Sequence, residues 1–217
     1  HKDEEVPSIT IIPFDNKGAD EDVFYAYGIS SDLIADVTSA GLIRVAGMKE
    51  VEELNDMPFK DKAKTLNTRY VSTGSLWKMG NQFQLSIELH DTKESTLIWS
   101  DRWQEKWENL TIIKEKLSSS LLEALNTKSK LQSSIANNNT EAYEYYLKAK
   151  FKLENGGLTK ENLSLSRSLA EKAIELDSSF MEPRMLLMST YAQVGEFKIV
   201  LEMTDEIIES AEKSNTP

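Results

Sequence analysis

Two short polar segments carry the residue types that catalysis or ligand binding would need. Asp15 and Asn16 follow an apolar run, and His90 and Asp91 follow an alternating one. A histidine beside a carboxylate is the pair that general acid–base and nucleophilic catalysis use. Ligands of α/β folds also bind beyond the carboxyl ends of strands, where Asp15 and Asn16 are expected to lie. These positions raise two hypotheses: a hydrolase that brings Asp15, His90 and Asp91 together, and a loop that contacts a ligand or partner.

The rest of the sequence favours the non-catalytic hypothesis. It contains no GxSxG nucleophile motif, no GxGxxG or GxxxxGKS phosphate-binding loop, and no His, Asp and Glu cluster at metal-ligand spacing. His90 is the only histidine besides His1, and a turn or surface role suits it. Asp15 or Asn16 can bond local backbone in an Asx turn. We predict no catalytic, cofactor-binding or metal-binding residues, and retain Asp15 and Asn16 as candidate ligand or partner contacts.

Bulk composition excludes further classes of protein. The net charge of −11 argues against nucleic-acid binding, which depends on clustered Lys and Arg. The absence of cysteine rules out disulfides, thiolate metal sites and cysteine nucleophiles. No run approaches the roughly 20 apolar residues that a membrane span needs. We therefore expect membrane contact only through a segment upstream of this chain.

Hydrophobic patterning in the first part of the chain predicts a mixed sheet with helices. Gly28 and Gly74 are expected to allow close backbone approach. Trp77, Trp99 and Trp103 are expected in the core or at a domain interface, with Trp107 in a turn. In chain order, the expected elements are a strand at 8–14, a helix at 24–40, a strand at 42–46, a helix at 59–66, a hairpin over 70–89 turning at Gly80 and Asn81, a strand at 96–103 and a helix at 110–125.

The remainder of the chain is predicted to be entirely helical. Residues 127–139 are polar and are expected to form a linker or a helix extension. The predicted boundaries are therefore 6–126 for an α/β domain and 140–213 for a helical domain. Ala173 and Ile207 are one period of 34 residues apart, which is the tetratricopeptide length. This helical segment resembles that family.

The tetratricopeptide resemblance implies packing roles for several residues. By position, Leu187 and Tyr191 correspond to packing residues in the first helix of a hairpin, and Gly195 corresponds to the turn. Met188 occupies the usual small position and Ser178 stands where proline is usual, so the repeat is degenerate. Such repeats usually need about three copies for stability. We expect these hairpins to pack against the α/β domain or to continue beyond this segment.

Tyr143 and Tyr146 lie at helical spacing in the first of these helices. They could line a groove for a partner peptide, as the concave surfaces of repeat proteins often do. An aromatic stripe at this spacing is more often packed between helices. We retain both tyrosines as candidate ligand or partner contacts beside that packing interpretation.

Five segments of the α/β part follow one another in a characteristic order and spacing: 9–16, 25–33, 69–76, 80–83, and 89–91 ahead of 99–103. Together they resemble the TolB-like amino-terminal domain over about residues 8–125. The resemblance implies a fold similar to the anticodon-binding domain of some tRNA synthetases. In bacterial signalling proteins such domains commonly stand between tetratricopeptide repeats and an output domain, such as a class III nucleotide cyclase, a winged-helix regulator or a Ser/Thr kinase. Ser72 and Thr73 depart from the usual Leu-Glu before Gly-Ser.

Together these observations predict fold class α+β/α, a TolB-like mixed sheet followed by all-α tetratricopeptide-type hairpins. We expect a non-catalytic sensory, regulatory and protein-interaction segment of a larger bacterial signalling protein, with an adenylate or guanylate cyclase as the expected parent. The alternatives are a free-standing periplasmic docking protein and a cryptic hydrolase. We expect a protein partner or small-molecule signal, no cofactor and no nucleic acid. An extracytoplasmic, membrane-anchored location is favoured over a cytoplasmic one.

Overall fold

The computed structural model of the 217-residue chain describes residues 6–41, 43–125 and 139–214. The chain divides into two compact units, His1–Thr140 and Glu141–Pro217. The first unit contains a mixed sheet and helices, and the described residues of the second are helices and short turns. The prediction of a mixed α/β fold followed by helices is confirmed at this level. Within the described ranges, no helix combines the length and apolar character needed to cross a membrane.

The sheet combines a parallel half and an antiparallel half. Its strand order is β3-β1-β4-β5-β6, and β2 pairs with β4 beyond the end of β1. Pairs among β1, β2, β3 and β4 are parallel, whereas β4, β5 and β6 are antiparallel. The strands are β1 Ser8–Ile11, β2 Asp15–Asn16, β3 Arg44–Val45, β4 Tyr70–Met79, β5 Gln82–Asp91 and β6 Thr96–Lys106.

Two long helices, α1 Val23–Ser39 and α4 Leu110–Ala124, each bury an apolar face in the core of this unit. The edge of the Tyr25 ring on α1 meets Phe83 on β5 at a centroid distance of 4.9 Å. Strict alternation makes β5 apolar on the buried face and polar on the other. Its buried residues are Phe83, Leu85, Ile87 and Leu89.

Several local details differ from the expected elements. The strand predicted at 8–14 ends at Ile11, ahead of Pro13, which was expected to end its pairing because it has no N–H to donate to a ladder. Helix α2 Met48–Glu52 was not predicted; it is short and buries only Val51. Trp77 is 42% exposed rather than in the core, because it lies opposite Gln84 on the polar face of the hairpin. Trp99 and Trp103 are half-buried, with ring centroids 6.3 Å apart.

The remaining elements of the first unit lie close to their predicted positions. Helix α3 is Phe59–Thr65, and Gly80 has φ 57° in the turn between β4 and β5. Trp107 lies in a short 3-10 turn before α4, as expected. Leu42, in the predicted strand at 42–46, and residues 126–138, which cover most of the predicted linker, lie outside the described residues.

The second unit is built from consecutive helices joined by short turns. Ala149, Ala170 and Leu187 form a buried cluster, and Leu186, Tyr191 and Met203 pack against it. Small residues at the first two positions let neighbouring helices approach closely. The helices are α5 Thr140–Asn155, α6 Lys160–Leu176, α7 Met181–Gln193 and α8 Phe197–Ser214, with left-handed glycines in two turns, Gly157 at φ 72° and Gly195 at φ 77°.

Candidate functional site

The loop at Asp15 and Asn16 is held by local hydrogen bonds. The Asn16 side-chain amide donates to the carbonyl of Ala19 at 2.7 Å, and its oxygen accepts from the Gly18 N–H at 3.1 Å. The Asp15 carboxylate is exposed and pairs with Lys17. The Asx-turn interpretation is confirmed for Asn16. Asp15 stays at the surface, where a ligand or partner can reach it.

Phe14 fixes the start of this loop against the sheet. Its backbone N–H donates to the hydroxyl of Ser30 on α1 at 2.8 Å. Its ring packs so closely on Gly74 of β4 that a Cβ built there would lie 2.6 Å from the ring and 2.5 Å from the Ser86 carbonyl oxygen. The expectation of close approach at Gly74 is confirmed, and the approaching group is a side chain together with the neighbouring strand.

His90 and Asp91 do not form a catalytic pair. Consecutive strand residues point to opposite faces of a sheet. The His90 Nε2 lies 3.1 Å from the Glu88 Oε2, and its ring packs beside Phe59 at a centroid distance of 5.1 Å. His90 therefore contacts its own strand and α3, on the face opposite Asp91.

Asp91 instead caps the turn between β5 and β6 and binds Arg69. Its Oδ2 accepts from the Arg69 Nη2 at 2.7 Å and Nε at 3.0 Å. Its Oδ1 accepts from the backbone N–H groups of Lys93 and Glu94. Burial alone would raise the pKa of Asp91, but the Arg69 and backbone hydrogen bonds outweigh it and hold that pKa below its usual value. The carboxylate is thereby committed to structure.

The three residues of the hydrolase hypothesis are spread along the sheet. Asp15 pairs with Ser75 on β4, whereas His90 pairs with Val71 on the same strand. Four residues of strand separate these rows by about 13 Å. No single small substrate group would contact both side chains at hydrogen-bonding distance.

Tyr143 and Tyr146 lie in a buried aromatic cluster with Phe180. They are 2% and 5% exposed, and their ring centroids lie 6.3 and 5.2 Å from that of Phe180. The buried Lys150 ammonium donates to the Tyr146 hydroxyl at 3.3 Å. Both rings are therefore packed among other side chains, and neither is exposed in an open groove.

Metal binding finds no support within the described ranges, where no three His, Asp or Glu side chains are grouped to hold an ion. The structure instead reveals two surfaces that the sequence did not single out. One is a cleft lined by Arg44, Arg69 and Lys93. The other is a row of exposed apolar side chains on α8, Phe197, Leu201 and Ile208.

Comparison with curated proteins finds a partial match. The chain is 25% identical over 130 residues to "Putative adenylate cyclase 3" of Rhizobium meliloti. The match covers 56% of this chain and 21% of that protein, so the chain spans about a fifth of the length of its relative. No family model matches the chain.

Solved structures similar to the chain include TolB, a lipoprotein and a domain of LpoB. TolB from Acinetobacter baumannii is 16% identical, with a TM-score of 0.43 over 56% of this chain and 29% of TolB. Lipoprotein GNA1162 from Neisseria meningitidis is 17% identical, with a TM-score of 0.41 over 55% of this chain and 98% of its own. The LpoB carboxy-terminal domain from Escherichia coli is 14% identical, with a TM-score of 0.38 over 46% and 83% of the two chains.

Proposed function

We propose that this chain is a non-catalytic regulatory and protein-interaction segment of a larger bacterial signalling protein. In this proposal the TolB-like α/β unit senses or docks, and tetratricopeptide-type hairpins carry a docking face for a neighbouring segment of the same protein. The observation that carries the proposal is the uncovered apolar stripe on α8, formed by Phe197, Leu201 and Ile208.

The apolar stripe is distinct from the face of α8 that packs within the helical unit. At about 100° per residue, its three side chains fall within about 40° of one another. They are 62%, 65% and 50% exposed, in chain order. The half-buried Val200 and Met203 lie on the adjoining packed face. The apolar surface of α8 is therefore wider than its present packing covers.

Charged residues occupy the rest of the α8 circumference. Lys198, Glu202, Asp205, Glu206 and Glu209 project from the side of the helix away from the packed face. These residues suit contact with water, whereas the apolar stripe does not. Burying each exposed side chain of the stripe would contribute about 1 kcal/mol or slightly more. An apolar helix laid along the stripe is the occupant that fits this geometry.

The segment proposal is supported by the curated relative. That protein is named "Putative adenylate cyclase 3", and the chain spans 21% of its length. We propose a nucleotide cyclase as the output domain of the parent. The tetratricopeptide assignment rests on the glycine turns at 157 and 195, and on Ala173 and Ile207, which are 34 residues apart and both at least half-buried.

The alternatives lead to different outcomes. A cryptic hydrolase would need Asp15 and His90 in one pocket, and about 13 Å of strand separates their rows. A free-standing periplasmic docking protein would keep the apolar stripe but would have no output domain in the same reading frame. The reading frame and the accessibility of α8 therefore distinguish the proposal from both alternatives.

Site-specific thiol labelling tests the docking face directly. The chain has no native cysteine, so a single Leu201→Cys change gives this chain one reactive position. Lys198→Cys is the matched control, because its side chain is 90% exposed on the charged side of the same helix. Maleimide labelling of both variants is followed by peptide mass spectrometry, in this chain alone and in the protein encoded by the complete reading frame. We expect Leu201→Cys to be protected only in the longer protein, and Lys198→Cys to react equally in both.

A further inference from the structure

A cleft opens at the amino-terminal edge of the parallel strands, opposite the edge that carries Asp15. Its wall includes the first residues of three strands, Ser8 of β1, Arg44 of β3 and Tyr70 of β4. Its volume is about 550 Å³, which falls in the range of small-molecule sites. The other described residues on its wall are Val6, Pro7, Asn67, Thr68, Arg69 and Lys93.

The charges that line the cleft are all positive. Among the described residues of its wall, Arg44, Arg69 and Lys93 are the charged ones, and none of the others is a carboxylate. The chain as a whole has 36 acidic and 25 basic residues, so this lining runs against the overall charge. The Asp91 carboxylate neutralises the charge of Arg69 in an ion pair at 2.7 Å. Within the described part of the chain, Arg44 and Lys93 form no ion pair, which leaves about two positive charges unneutralised.

The backbone holds the Arg44 guanidinium in place. It donates to the carbonyl of Leu66 at 3.3 Å and to the carbonyl of Asn67. Asn67 adopts a left-handed conformation, with φ 51°, at the turn that follows α3. Carbonyl oxygens are neutral acceptors, so these bonds orient the guanidinium without cancelling its charge. An oriented arginine with free donors is suited to an oxyanion.

A second cation approaches the cleft from the turn between β5 and β6. The two Asp91 side-chain oxygens bind Arg69 and the backbone of Lys93, so one buried carboxylate positions both residues. The Lys93 side chain itself is exposed and free to turn toward a ligand. Glu94 lies exposed in the same turn, where its charge acts on Arg69, and it is not on the cleft wall.

We propose that this cleft binds a small molecule carrying a phosphate monoester, held by Arg44 and Lys93 with Arg69 behind them. A phosphate monoester carries about −1.5 to −2 charge at neutral pH, which matches the two unneutralised cations. The cleft is larger than a phosphate group alone, so its remaining volume can hold the organic part of the ligand. Val6, Pro7 and Tyr70 form the less polar wall beside that part. The proposal concerns the first unit and does not depend on docking at α8.

The test is an amide NMR titration of the whole chain with inorganic phosphate and then with glycerol phosphate. Sodium acetate and sodium chloride are titrated at the same ionic strength. We expect saturable shifts of the Thr68, Tyr70 and Lys93 amides with both phosphate probes, and weaker, non-saturating shifts with acetate. Removing one charge-assisted contact by Lys93→Gln or Arg44→Gln should raise the dissociation constant by about tenfold.

Controls separate a site from general charge effects. Lys60→Gln removes one positive charge from an exposed position of α3 outside the cleft and should leave the dissociation constant unchanged. Of the two cleft variants, Lys93→Gln is the clearer test. The Arg44 guanidinium bonds backbone carbonyls of the fold, whereas the Lys93 side chain is exposed. Equal shifts with chloride or acetate would overturn the proposal. So would the absence of saturable shifts with phosphate, or equal weakening by Lys60→Gln and Lys93→Gln.

Discussion

Replacing Asp91 with Asn should destabilise the α/β unit by removing a charge while keeping the shape of the side chain. The carboxylate of Asp91 is 5% exposed and accepts two hydrogen bonds from the Arg69 guanidinium, at 3.0 and 2.7 Å. An Asn side chain can still accept the turn N–H bonds of Lys93 and Glu94 through its single oxygen. The amide NH2 group would then face the Arg69 guanidinium, so the variant removes the charge and the acceptor that Arg69 binds and leaves a donor in their place.

The magnitude follows from the burial of the two partners. Hydrogen bonds to charged groups contribute about 1.5 to 3 kcal/mol when buried. The Arg69 side chain is 42% exposed, so water recovers part of its solvation when the partner charge is lost. We expect Asp91→Asn to lower the free energy of unfolding by about 1 to 2 kcal/mol at neutral pH.

The pH dependence gives a second check. The pKa of Asp91 is lower in the folded chain than its ordinary value. Its stabilising contribution is therefore complete above the unfolded-state pKa and is lost as pH falls through the lower folded-state pKa. The difference between wild type and Asp91→Asn should shrink below about pH 4.

Urea denaturation at neutral and acidic pH measures this difference, with circular dichroism as the readout. Asp56→Asn is the control, because Asp56 is exposed and should change stability little at either pH. A difference between wild type and Asp91→Asn that stays constant down to acidic pH would refute the assigned role of the ion pair. A negligible difference at neutral pH would refute it as well.

Two further variants test packing in the two units. Leu187→Ala should lower the free energy of unfolding by about 2 to 4 kcal/mol, because Leu187 is 7% exposed in the helical cluster. The control Leu165→Ala, at a 44% exposed position of α6, should lower it much less. Equal melting temperatures for the two variants would contradict the helical packing. Gly74→Ala should cost about 1 to 3 kcal/mol, because its Cβ would lie 2.6 Å from the Phe14 ring. The Gly47 control has its nearest contact at 3.5 Å, so Gly47→Ala should be mild, and similar stability losses for the two glycine variants would show that the Phe14 contact is not tight.

The fold was predictable where sequence pattern and burial coincide. Alternation in β5 fixes which residues face the core, and the Gly80 turn fixes the hairpin that pairs it with β4. The expectation that Trp77 lies in the core rested on residue type, because tryptophan is highly buried on average. Its pairing with Gln84 places it instead on the exposed face of the hairpin.

The candidate surfaces were less predictable because they depend on contacts between distant segments. Arg44, Arg69 and Lys93 come together through the parallel pairing of β1 with both β3 and β4, and through the turn after β5. The sequence favoured a site at the carboxyl edge of these strands, at Asp15, whereas the cationic cleft lies at the opposite edge. The one available signal was the presence of basic residues at the starts of strands in an acidic chain.

The accessibility of residue 201 tests directly whether α8 docks a neighbouring segment of the same protein. The complete reading frame is determined first, and Leu201→Cys and Lys198→Cys are labelled in this chain and in the full protein. We expect an output domain in the same reading frame, with slow labelling at 201 and unchanged labelling at 198 in the full protein. A reading frame without an output domain would contradict the proposed signalling parent, and equal labelling at 201 in both proteins would contradict the proposal that α8 docks a neighbouring segment.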